Sequence, residues 1–463
     1  MKKNDLFHRN KRLLLIPVVF FASVLLVSYQ MDQRTISRPS VVTHPDWSRN
    51  AVIYEVNIRQ YTPEGTFKAF EQHIPRLKEM GVDILWLMPI NPIGEKNRKG
   101  SLGSYYSVKD YLAVNPEFGT LNDFKSLVNT AHQHGMKVII DWVANHTSWD
   151  NKLITEHPDF YTKDAAGSII APVPDWTDVA DLNYDNPELR KYMTDAMLFW
   201  VRDADIDGFR CDVAGMVPVS FWNKAVPELR KVKPVFMLAE WETPELHDTA
   251  FDMTYSWEFF KLMKEISKGS KTIDQIDSVL AREDTVYNSD AYRMLFTTNH
   301  DENSWNGTEY ELFGDAAQTF AALNYLLPGM PLIYSGQETG MKKRLRFFDK
   351  DTIGWDGYSL VPFYTTLNRL KHGNKALFNG AAGGPLVRVH TDHEKQVYAF
   401  TREKDDNKIF AVFNISASPV SVKFYDGHLS GPWKDAFTGS DIPSSWMKEM
   451  TLNPWEYKIL VRK

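Results

Sequence analysis

Apolar runs and amphipathic stretches alternate along most of this chain, beginning near Trp47. Residues 67–80 have the spacing of an amphipathic helix, with Phe67, Phe70, Ile74 and Leu77 on one face. Further helices are predicted at residues 124–134, 189–204 and 221–232. Short apolar runs between the helical stretches predict eight strands, at residues 51–56, 84–88, 138–141, 208–212, 235–240, 252–255, 294–299 and 332–334.

Uninterrupted apolar strands that alternate with helices indicate a parallel sheet covered by helices. Eight such units over residues 47–374 predict an α/β fold of the (β/α)8 TIM-barrel type, with a doubly wound open sheet as the alternative. Residues 144–187, rich in Pro, Asp and Trp, are too long for an ordinary loop between a strand and a helix. We therefore expect a small inserted subdomain after the third strand.

After Asn374 the pattern changes to short alternating runs. Residues 396–401 and 408–414, separated by a charged turn at 403–407, predict a β-hairpin. More short strands follow, ending with a run at 457–462. Residues 375–463 are accordingly predicted to form a small antiparallel β-sandwich.

The N-terminal segment differs from the rest of the chain. An apolar run at residues 13–27 follows a basic stretch that contains Lys2, Lys3, Arg9, Lys11 and Arg12. This pattern is typical of a secretory signal, and the run is short for a transmembrane helix, which needs ~20 residues. No clear small-x-small cleavage site follows, so residues 1–30 are interpreted as either a signal peptide or an uncleaved signal anchor. Residues 31–46 have the composition of a linker.

Both interpretations predict an exported protein that is periplasmic, attached to the cell surface or secreted. The N-terminal segment would contact the membrane at least during export. The remaining composition, with 43% hydrophobic and 24% charged residues, is that of a globular protein. A net charge of -6 argues against nucleic acid as a partner. The single cysteine, Cys211, excludes an intramolecular disulfide and a CxxC site, and we expect it to be a small buried hydrophobe.

Polar side chains stand where several predicted strands end. They are Asp141 on the third strand, with Asn145 and His146 in its loop, Arg210 and Asp212 on the fourth, Glu240 on the fifth, and His300 and Asp301 after the seventh. Because the carboxyl ends of barrel strands meet at one mouth, these groups are expected to converge there. Carboxylates, histidines and an arginine together at one mouth favour a catalytic site over a set of solvated loop residues.

Asp212 and Glu240 have the chemistry that a retaining glycosidase needs. Its nucleophile and its acid lie about 5–5.5 Å apart, and neighbouring barrel strands are about 4.8 Å apart. Arg210 points to the same face of its strand as Asp212, where a guanidinium favours the ionised carboxylate. A structural salt bridge at the barrel mouth would account equally well for Arg210.

Six motifs carry a more specific signal. They are DWVANH (141–146), DLN (181–183), GFRCD (208–212), AEW (239–241), TNHD (298–301) and GMPLIYSGQE (329–338). Together with Tyr106, within GSYYSVKD (103–110), these motifs resemble the α-amylase family, glycoside hydrolase family 13, in the order that the family shows. The resemblance covers residues 51 to about 460.

The resemblance implies that Asp212 attacks the anomeric carbon, that Glu240 protonates the leaving oxygen and that Asp301 stabilises the charged transition state. It further implies that Tyr106 stacks on the sugar at the cleavage site and that His146 and His300 bind its hydroxyl groups. Arg210 is grouped with these substrate-binding residues. Asp141 is expected to hold Arg210 or a neighbouring loop.

The implied activity is hydrolysis of α-1,4-glucosidic bonds in starch, glycogen or maltooligosaccharides by double displacement. The enzymatic alternative is a transglycosylase, or an α-1,6-acting or cyclodextrin-hydrolysing relative, with the same three carboxylates. The non-enzymatic alternative is a catalytically dead, amylase-like membrane ectodomain, which an intact set of Asp212, Glu240 and Asp301 disfavours.

The sequence departs from the family pattern at one place. Many members carry Lys-His three and four residues after the nucleophile, and here Gly215 and Met216 stand there instead. This leaves open which groups contact the leaving part of the substrate. The chemistry needs no cofactor. In the family, a structural calcium ion joins the inserted subdomain to the barrel, and Asn145 and Asp181 stand where two of its ligands would be, with Asp175 and Asp178 as further aspartates of the insertion. Because Gly215-Met216 replaces the segment that supplies the usual carbonyl ligand, the absence of a calcium site is the alternative.

Overall fold

A computed structural model describes residues 42–355, 357–425 and 429–462. The predicted signal segment, residues 1–30, and most of the predicted linker lie outside these ranges. At the end of that linker, the His44 ring stacks on Tyr292 at 4.1 Å, and His44 Nδ1 lies 2.7 Å from Asp252 Oδ1. Within the described ranges, no helix combines the length and apolarity that crossing a membrane requires.

Eight parallel strands close into a barrel, and each strand lies beside its neighbours in the chain. They are β1 (Ile53–Val56), β2 (Ile84–Leu87), β3 (Lys137–Trp142), β4 (Gly208–Cys211), β5 (Phe236–Ala239), β6 (Met253–Tyr255), β7 (Tyr292–Leu295) and β8 (Met330–Tyr334). Ile53 of β1 pairs with Ile84 of β2 and with Leu332 of β8, which closes the ring. The predicted barrel is confirmed, and the open sheet is excluded.

The seventh strand lies earlier in the chain than its prediction, which was residues 294–299. The reason is Arg293, a charged residue that is buried inside the strand. Its guanidinium pairs with Glu283 at 3.0 Å and with Glu242 at 2.6 Å. These partners are tertiary contacts that the apolar pattern of the sequence does not show. The pattern therefore predicts, wrongly, that Arg293 lies outside the strand. Residues 296–299 instead lead into a π-helix, Glu302–Asn306.

Helices follow most of the strands. Their bounds are Ile58–Tyr61, Phe67–Glu71, Ile74–Met80, Leu121–Gln133, Leu153–Glu156, Pro187–Asp203, Val219–Arg230, Trp257–Ser267, Asp274–Val286, Glu309–Phe313, Ala317–Leu326 and Val361–Gly373. The helix predicted at residues 67–80 is broken in two, since Pro75 lacks an N–H and its ring clashes with the carbonyl four residues earlier. Between β5 and β6 there is only a 3-10 helix, Pro244–His247.

Two smaller parts complete the fold. After β3, a short antiparallel pair joins His146–Ser148 to Val179–Asp181 within the predicted insertion. The C-terminal strands are β9 (Leu386–Arg388), β10 (Val397–Lys404), β11 (Asn407–Asn414), β12 (Val420–Lys423), β13 (Lys434–Asp435), β14 (Glu449–Leu452) and β15 (Tyr457–Arg462). They form a five-stranded sheet, in the order β9-β10-β11-β15-β13, and a β12-β14 pair, with one apolar core that contains residues from both sheets. This is the predicted antiparallel sandwich.

Candidate active site

The catalytic carboxylates predicted from the sequence stand directly at strand ends. Asp212 is the first residue after β4, and Glu240 is the first residue after β5. The Glu240 N–H donates to the Cys211 carbonyl at 3.0 Å, so the β4–β5 pairing continues to the position of both carboxylates. Asp212 and Glu240 are thereby held side by side by backbone hydrogen bonds.

The close approach of β4 and β5 depends on Gly208, which opens β4. A Cβ at this position would lie only 1.9 Å from the carbonyl oxygen of Phe236. The φ of +149° is also a conformation that side-chain-bearing residues rarely adopt. Any other residue at this position would push the two catalytic strands apart.

Arg210 is completely buried and contacts three carboxylates. Its Nη1 donates to Asp141 at 2.8 Å and to Asp212 at 3.0 Å. Its Nη2 lies 3.0 Å from Glu240 Oε2, in an ionic contact that lacks the angle of a hydrogen bond. Arg210 has no exposed surface and does not line the cavity, so we expect any effect on a substrate to pass through the carboxylates that it touches.

The carboxylates differ in their acidity. Burial raises the pKa of Asp212 to about 6, against the opposing effect of Arg210 and with a further rise from Asp141 and Asp301. Burial also raises the pKa of Glu240 to about 7, again opposed by Arg210. The favourable charge of Arg210 expected from the sequence is therefore present, but desolvation outweighs it. Burial thus makes both carboxyl groups weaker acids than usual, and a raised pKa at Glu240 suits a proton donor.

The backbone at Val213 is strained. Its φ of +36° is rare for a β-branched residue, which normally avoids the left-handed region. In this conformation the Val213 N–H donates to Glu240 Oε2 at 2.8 Å. Strain of this kind persists where the surrounding structure enforces it. Here the strained residue donates a hydrogen bond to the Glu240 carboxylate and so helps to orient it.

A second charged group lies around His300. Its Nδ1 contacts the Glu55 carboxylate, and its Nε2 lies 3.3 Å from Asp301 Oδ2. Burial alone would lower the pKa of His300, but Asp301 and Glu55 raise it to about 9, so the ring is a cation at neutral pH. Glu55, inside β1, was not singled out by the sequence analysis, although a charged residue within an apolar strand is a usable signal.

Tyr106 connects the two charged groups. Its ring stacks on His300, with the ring centres 5.5 Å apart, and its oxygen lies 2.7 Å from His300 Nε2. The Tyr106 hydroxyl donates to Asp141 Oδ2 at 3.1 Å, and the indole N–H of Trp86 donates to the same oxygen at 3.3 Å. Asp141 is therefore fixed by Arg210, Tyr106 and Trp86, as a supporting residue should be.

Six of the predicted site residues open into one cavity of about 680 Å³. They are Asp212, Glu240, Asp301, Tyr106, His146 and His300. Burial lowers the pKa of His146 to about 4, so its neutral ring can exchange hydrogen bonds with an uncharged hydroxyl group. The lining also includes four aromatic residues that the sequence analysis did not select, Trp176, Trp305, Phe347 and Phe348. A concave site with flat apolar walls and a few convergent polar groups is typical of small-ligand binding.

Gly215 and Met216, which stand where many family members have Lys-His, form part of a short 3-10 turn. A Cβ on Gly215 would lie 2.1 Å from the Trp241 indole, so this ring packs directly on the Gly215 backbone. Trp241 is 38% exposed, and Met216 is exposed to the same extent. Trp241 and Met216 therefore give the surface beside Glu240 an apolar and aromatic character.

The candidate calcium ligands lie at the short antiparallel pair of the insertion. His146 pairs with Asp181 in this sheet, and the Leu182 N–H donates to the Asn145 carbonyl at 3.1 Å. Among the residues that the structure describes, no three His, Cys, Asp or Glu side chains are placed to hold a metal ion, but calcium also takes amide and carbonyl oxygens. The expectation of a calcium site stays a prediction, and no step below depends on one.

Comparison with protein families identifies two regions. The model for the alpha amylase catalytic domain matches residues 34–166 and 174–273. The model for the maltogenic amylase C-terminal domain matches residues 387–459. The first region contains Asp212 and Glu240, and the second falls within the antiparallel sandwich.

Known proteins that resemble the chain have similar descriptions. A crystal structure of an alpha-amylase from Lactobacillus plantarum is 33% identical, with a TM-score of 0.81, over 90% of this chain and 100% of that one. Neopullulanase 2 of Thermoactinomyces vulgaris is 26% identical over 92% of the chain and 80% of its own length. Alpha-amylase MalA of Haloarcula japonica is 28% identical over 82% of the chain, which spans only 57% of that enzyme.

Proposed function

The chain belongs to the alpha-amylase family of glycosidases, and we propose from this that it hydrolyses α-1,4-glucosidic bonds of starch, glycogen or maltooligosaccharides with retention of configuration. The observation that carries the proposal is the pair of carboxylates on adjacent strand ends, with Glu240 at a pKa of about 7 and Asp212 at about 6. Adjacent strand ends favour the short carboxylate separation of a retaining enzyme.

In the first step, a carboxylate oxygen of Asp212 bonds to the anomeric carbon while the glycosidic C–O bond breaks. The proton of Glu240 passes to the leaving oxygen, so that the leaving chain departs as a neutral alcohol. In the second step, Glu240, now a carboxylate, takes a proton from water. The water oxygen bonds to the anomeric carbon and Asp212 is released, which gives the product the configuration of the substrate.

The remaining cavity residues suit the binding of the sugar ring at the cleavage point. Tyr106 offers a flat face, Asp301 places a negative charge near the developing oxocarbenium ion, and His146 and His300 offer ring nitrogens to hydroxyl groups. The Asp301 carboxylate is held beside the His300 cation at 3.3 Å. Two carboxylates suffice for this chemistry, so the proposed mechanism requires no cofactor.

The proposal is tested by incubating the protein with soluble starch, pullulan and cyclodextrin, followed by chromatography of the products and proton NMR of the first anomer formed. We expect maltooligosaccharides from starch, and the α-anomer first. Release of the β-anomer would overturn the double displacement. Action on pullulan alone would instead indicate an α-1,6-acting relative. Action on cyclodextrin alone would indicate a cyclodextrin-hydrolysing enzyme. No product from any substrate would favour the dead ectodomain.

One observation favours transglycosylation as a second activity. Trp241 and Met216 present an exposed apolar surface beside Glu240, and an aromatic ring there favours a sugar over water as the acceptor. Products longer than the starting maltooligosaccharide at high substrate concentration would support this activity. Their absence at all concentrations would exclude it.

We also propose that the protein is exported, because the basic stretch and the apolar run at residues 13–27 have the pattern of a secretory signal. Fractionation of the native host should find the activity outside the cytosol. Activity confined to the cytosol would contradict export.

A further inference from the structure

The segments that surround the barrel mouth differ greatly in length. Long segments follow three strands, at residues 88–120 after β2, 143–186 after β3 and 335–360 after β8, and a shorter segment, residues 296–308, follows β7 beside them. Since β7, β8, β1, β2 and β3 are consecutive around the barrel, these segments make one continuous side of the mouth, here called the long-loop arc. The opposite side, the short-loop arc, consists of residues 212–218, 240–252 and 256, after β4, β5 and β6.

The cavity at the active site extends toward only one of these sides. The short-loop arc contributes Asp212, Val213 and Glu240, which belong to or adjoin the catalytic pair. Every other residue that lines the cavity comes from the long-loop arc. These lining residues include Lys99 after β2, Asp178 in the insertion, Trp305 after β7 and Phe348 after β8. The cavity therefore extends from the catalytic pair toward the long-loop arc.

The segments of the long-loop arc are joined to one another around this space. Trp305 packs on Phe348, with the ring centres 5.6 Å apart. The Leu102 N–H donates to the Phe348 carbonyl at 3.0 Å, and a Cβ on Gly100 would lie 2.4 Å from the Phe348 side chain. Lys99 then reaches the insertion. The contacts form a continuous wall from the segment after β7 to the segment after β3.

The last contact in this wall is an ion pair with its own hydrogen bond. Lys99 Nζ lies 3.0 Å from Asp178 Oδ1 and donates to the Asp175 carbonyl at 2.8 Å. Asp178 is buried, while the Lys99 side chain is 33% exposed. Both residues line the cavity that contains the catalytic pair. The ion pair thus joins the segment after β2 to the insertion at the edge of the enclosed space.

The direction of the substrate follows from the proposed roles of the residues. Glu240 protonates the leaving oxygen, so the leaving chain lies toward the short-loop arc and the exposed ring of Trp241. The sugar that becomes bonded to Asp212 rests against Tyr106, and the sugars on its non-reducing side extend into the space enclosed by the long-loop arc. The cavity, of about 680 Å³, lies between the catalytic pair and the joined segments of the long-loop arc.

We propose that the long-loop arc closes the glycone end of the cleft, with the Lys99–Asp178 pair as the closing contact. The enzyme then binds the non-reducing end of an α-glucan chain and releases short oligosaccharides from it, while the rest of the chain leaves over Trp241. This inference rests on the proposed hydrolysis of α-glucans. It assigns Lys99 and Asp178 as specificity-determining residues.

The experiment compares maltoheptaose with maltoheptaose whose non-reducing end carries a 4,6-ethylidene group. The ratio of kcat/KM for the blocked and the free substrate is measured by chromatography of the products. We expect the wild type to prefer the free end by about tenfold or more, because a closed pocket rejects added bulk. Lys99→Ala and Asp178→Asn should each raise the blocked-to-free ratio, and Lys99→Ala should raise it more.

Lys109→Ala is the matched control. Lys109 belongs to the same segment as Lys99 and pairs with Glu95 at 2.9 Å and Asp150 at 3.3 Å, but it does not line the active-site cavity. The control should keep the wild-type ratio, and circular dichroism should show the native fold in all three variants. Equal hydrolysis of both substrates by the wild type would overturn the inference and leave the proposed function intact. An unchanged ratio in folded Lys99→Ala would also overturn it, whereas no hydrolysis of free maltoheptaose would overturn the proposed function itself.

Discussion

The two sides of the barrel mouth hold the proposed site residues in different ways. On the short-loop arc, Asp212 and Glu240 follow their strands without an intervening residue, and the backbone hydrogen bonds of the barrel hold them. On the long-loop arc, Tyr106, His146, Asp301 and Trp305 stand on loop segments. Side chains on rigid strands are held more accurately than those on loops, and loops vary more readily. We therefore expect the positions of Asp212 and Glu240 to tolerate changes in the long-loop arc.

The two sides also differ in how their charges are balanced. Arg210 is one cation shared by Asp141, Asp212 and Glu240, and burial raises the pKa of each carboxyl. On the other side, His300 is a cation between Glu55 and Asp301. Three carboxyl groups share the Arg210 cation and two share the His300 cation, so the excess of carboxyl groups is larger around Arg210, where a proton is to be transferred. The predictions below test this division.

Removing either catalytic carboxylate should have the largest effect. We expect Asp212→Asn and Glu240→Gln to lower kcat/KM on maltoheptaose by about 10⁴-fold or more, since each removes an essential covalent or proton-transfer step. The control is Glu228→Gln, which removes a charge from a surface pair with Lys231 and does not line the cavity. Near-wild-type turnover in either folded catalytic variant would contradict the assignment.

Arg210→Met tests the shared cation. We expect it to destabilise the protein by about 3–5 kcal/mol, because it leaves three buried carboxyl groups without their counter-charge. Urea unfolding at pH 7 measures the change. At lower pH the carboxyl groups of the variant should take up protons, so the loss of stability should shrink. A loss that does not depend on pH would indicate a packing defect instead.

The pH profile tests the difference between the catalytic carboxyl groups. Asp212 must be ionised, so kcat/KM should fall as the pH drops below its pKa of about 6. Glu240 must be protonated, so kcat/KM should fall as the pH rises above its pKa of about 7. The profile is then a narrow bell, with about a tenfold change per pH unit on each limb. A broad plateau up to pH 9 would show that Glu240 is not the proton donor.

Gly215→Ala tests the surface beside Glu240. The added Cβ would meet the Trp241 indole at 2.1 Å, so the ring must move. We expect kcat/KM on starch to fall by about tenfold, since misplacing a substrate-positioning group weakens the productive geometry. Gly373→Ala is the control, because no atom lies within 4 Å of a Cβ there. Equal activities of the two variants would show that Trp241 does not contact the leaving chain.

Chelation should have the smallest effect. A structural calcium ion, which the family resemblance implies near Asn145 and Asp181, would stabilise the folded protein by mass action. We therefore expect a chelator to lower the Tm by a few degrees and added calcium to restore it, as measured by differential scanning calorimetry. A Tm that neither treatment changes would show that no functional calcium site exists.

Two errors of the sequence prediction have different causes. Arg293 belongs to β7 because Glu242 and Glu283 neutralise it, which is a matter of tertiary contacts. The helix predicted at residues 67–80 breaks at Pro75, which is a local property of the chain. The break was foreseeable from the fixed geometry of proline, whereas the buried arginine was not. Similarly, Glu55 was visible as a charge within an apolar strand, but its partner His300 is 245 residues away.

The sequence by itself determined the barrel, the sandwich and the positions of Asp212 and Glu240, because strand periodicity and strand ends are local properties of the chain. Only the tertiary structure decided which residues those carboxylates meet. It packed Trp241 on Gly215 and brought Lys99 to Asp178, two contacts between residues far apart in sequence. It also determined the pKa values of the catalytic pair, since desolvation depends on everything that surrounds a carboxyl group.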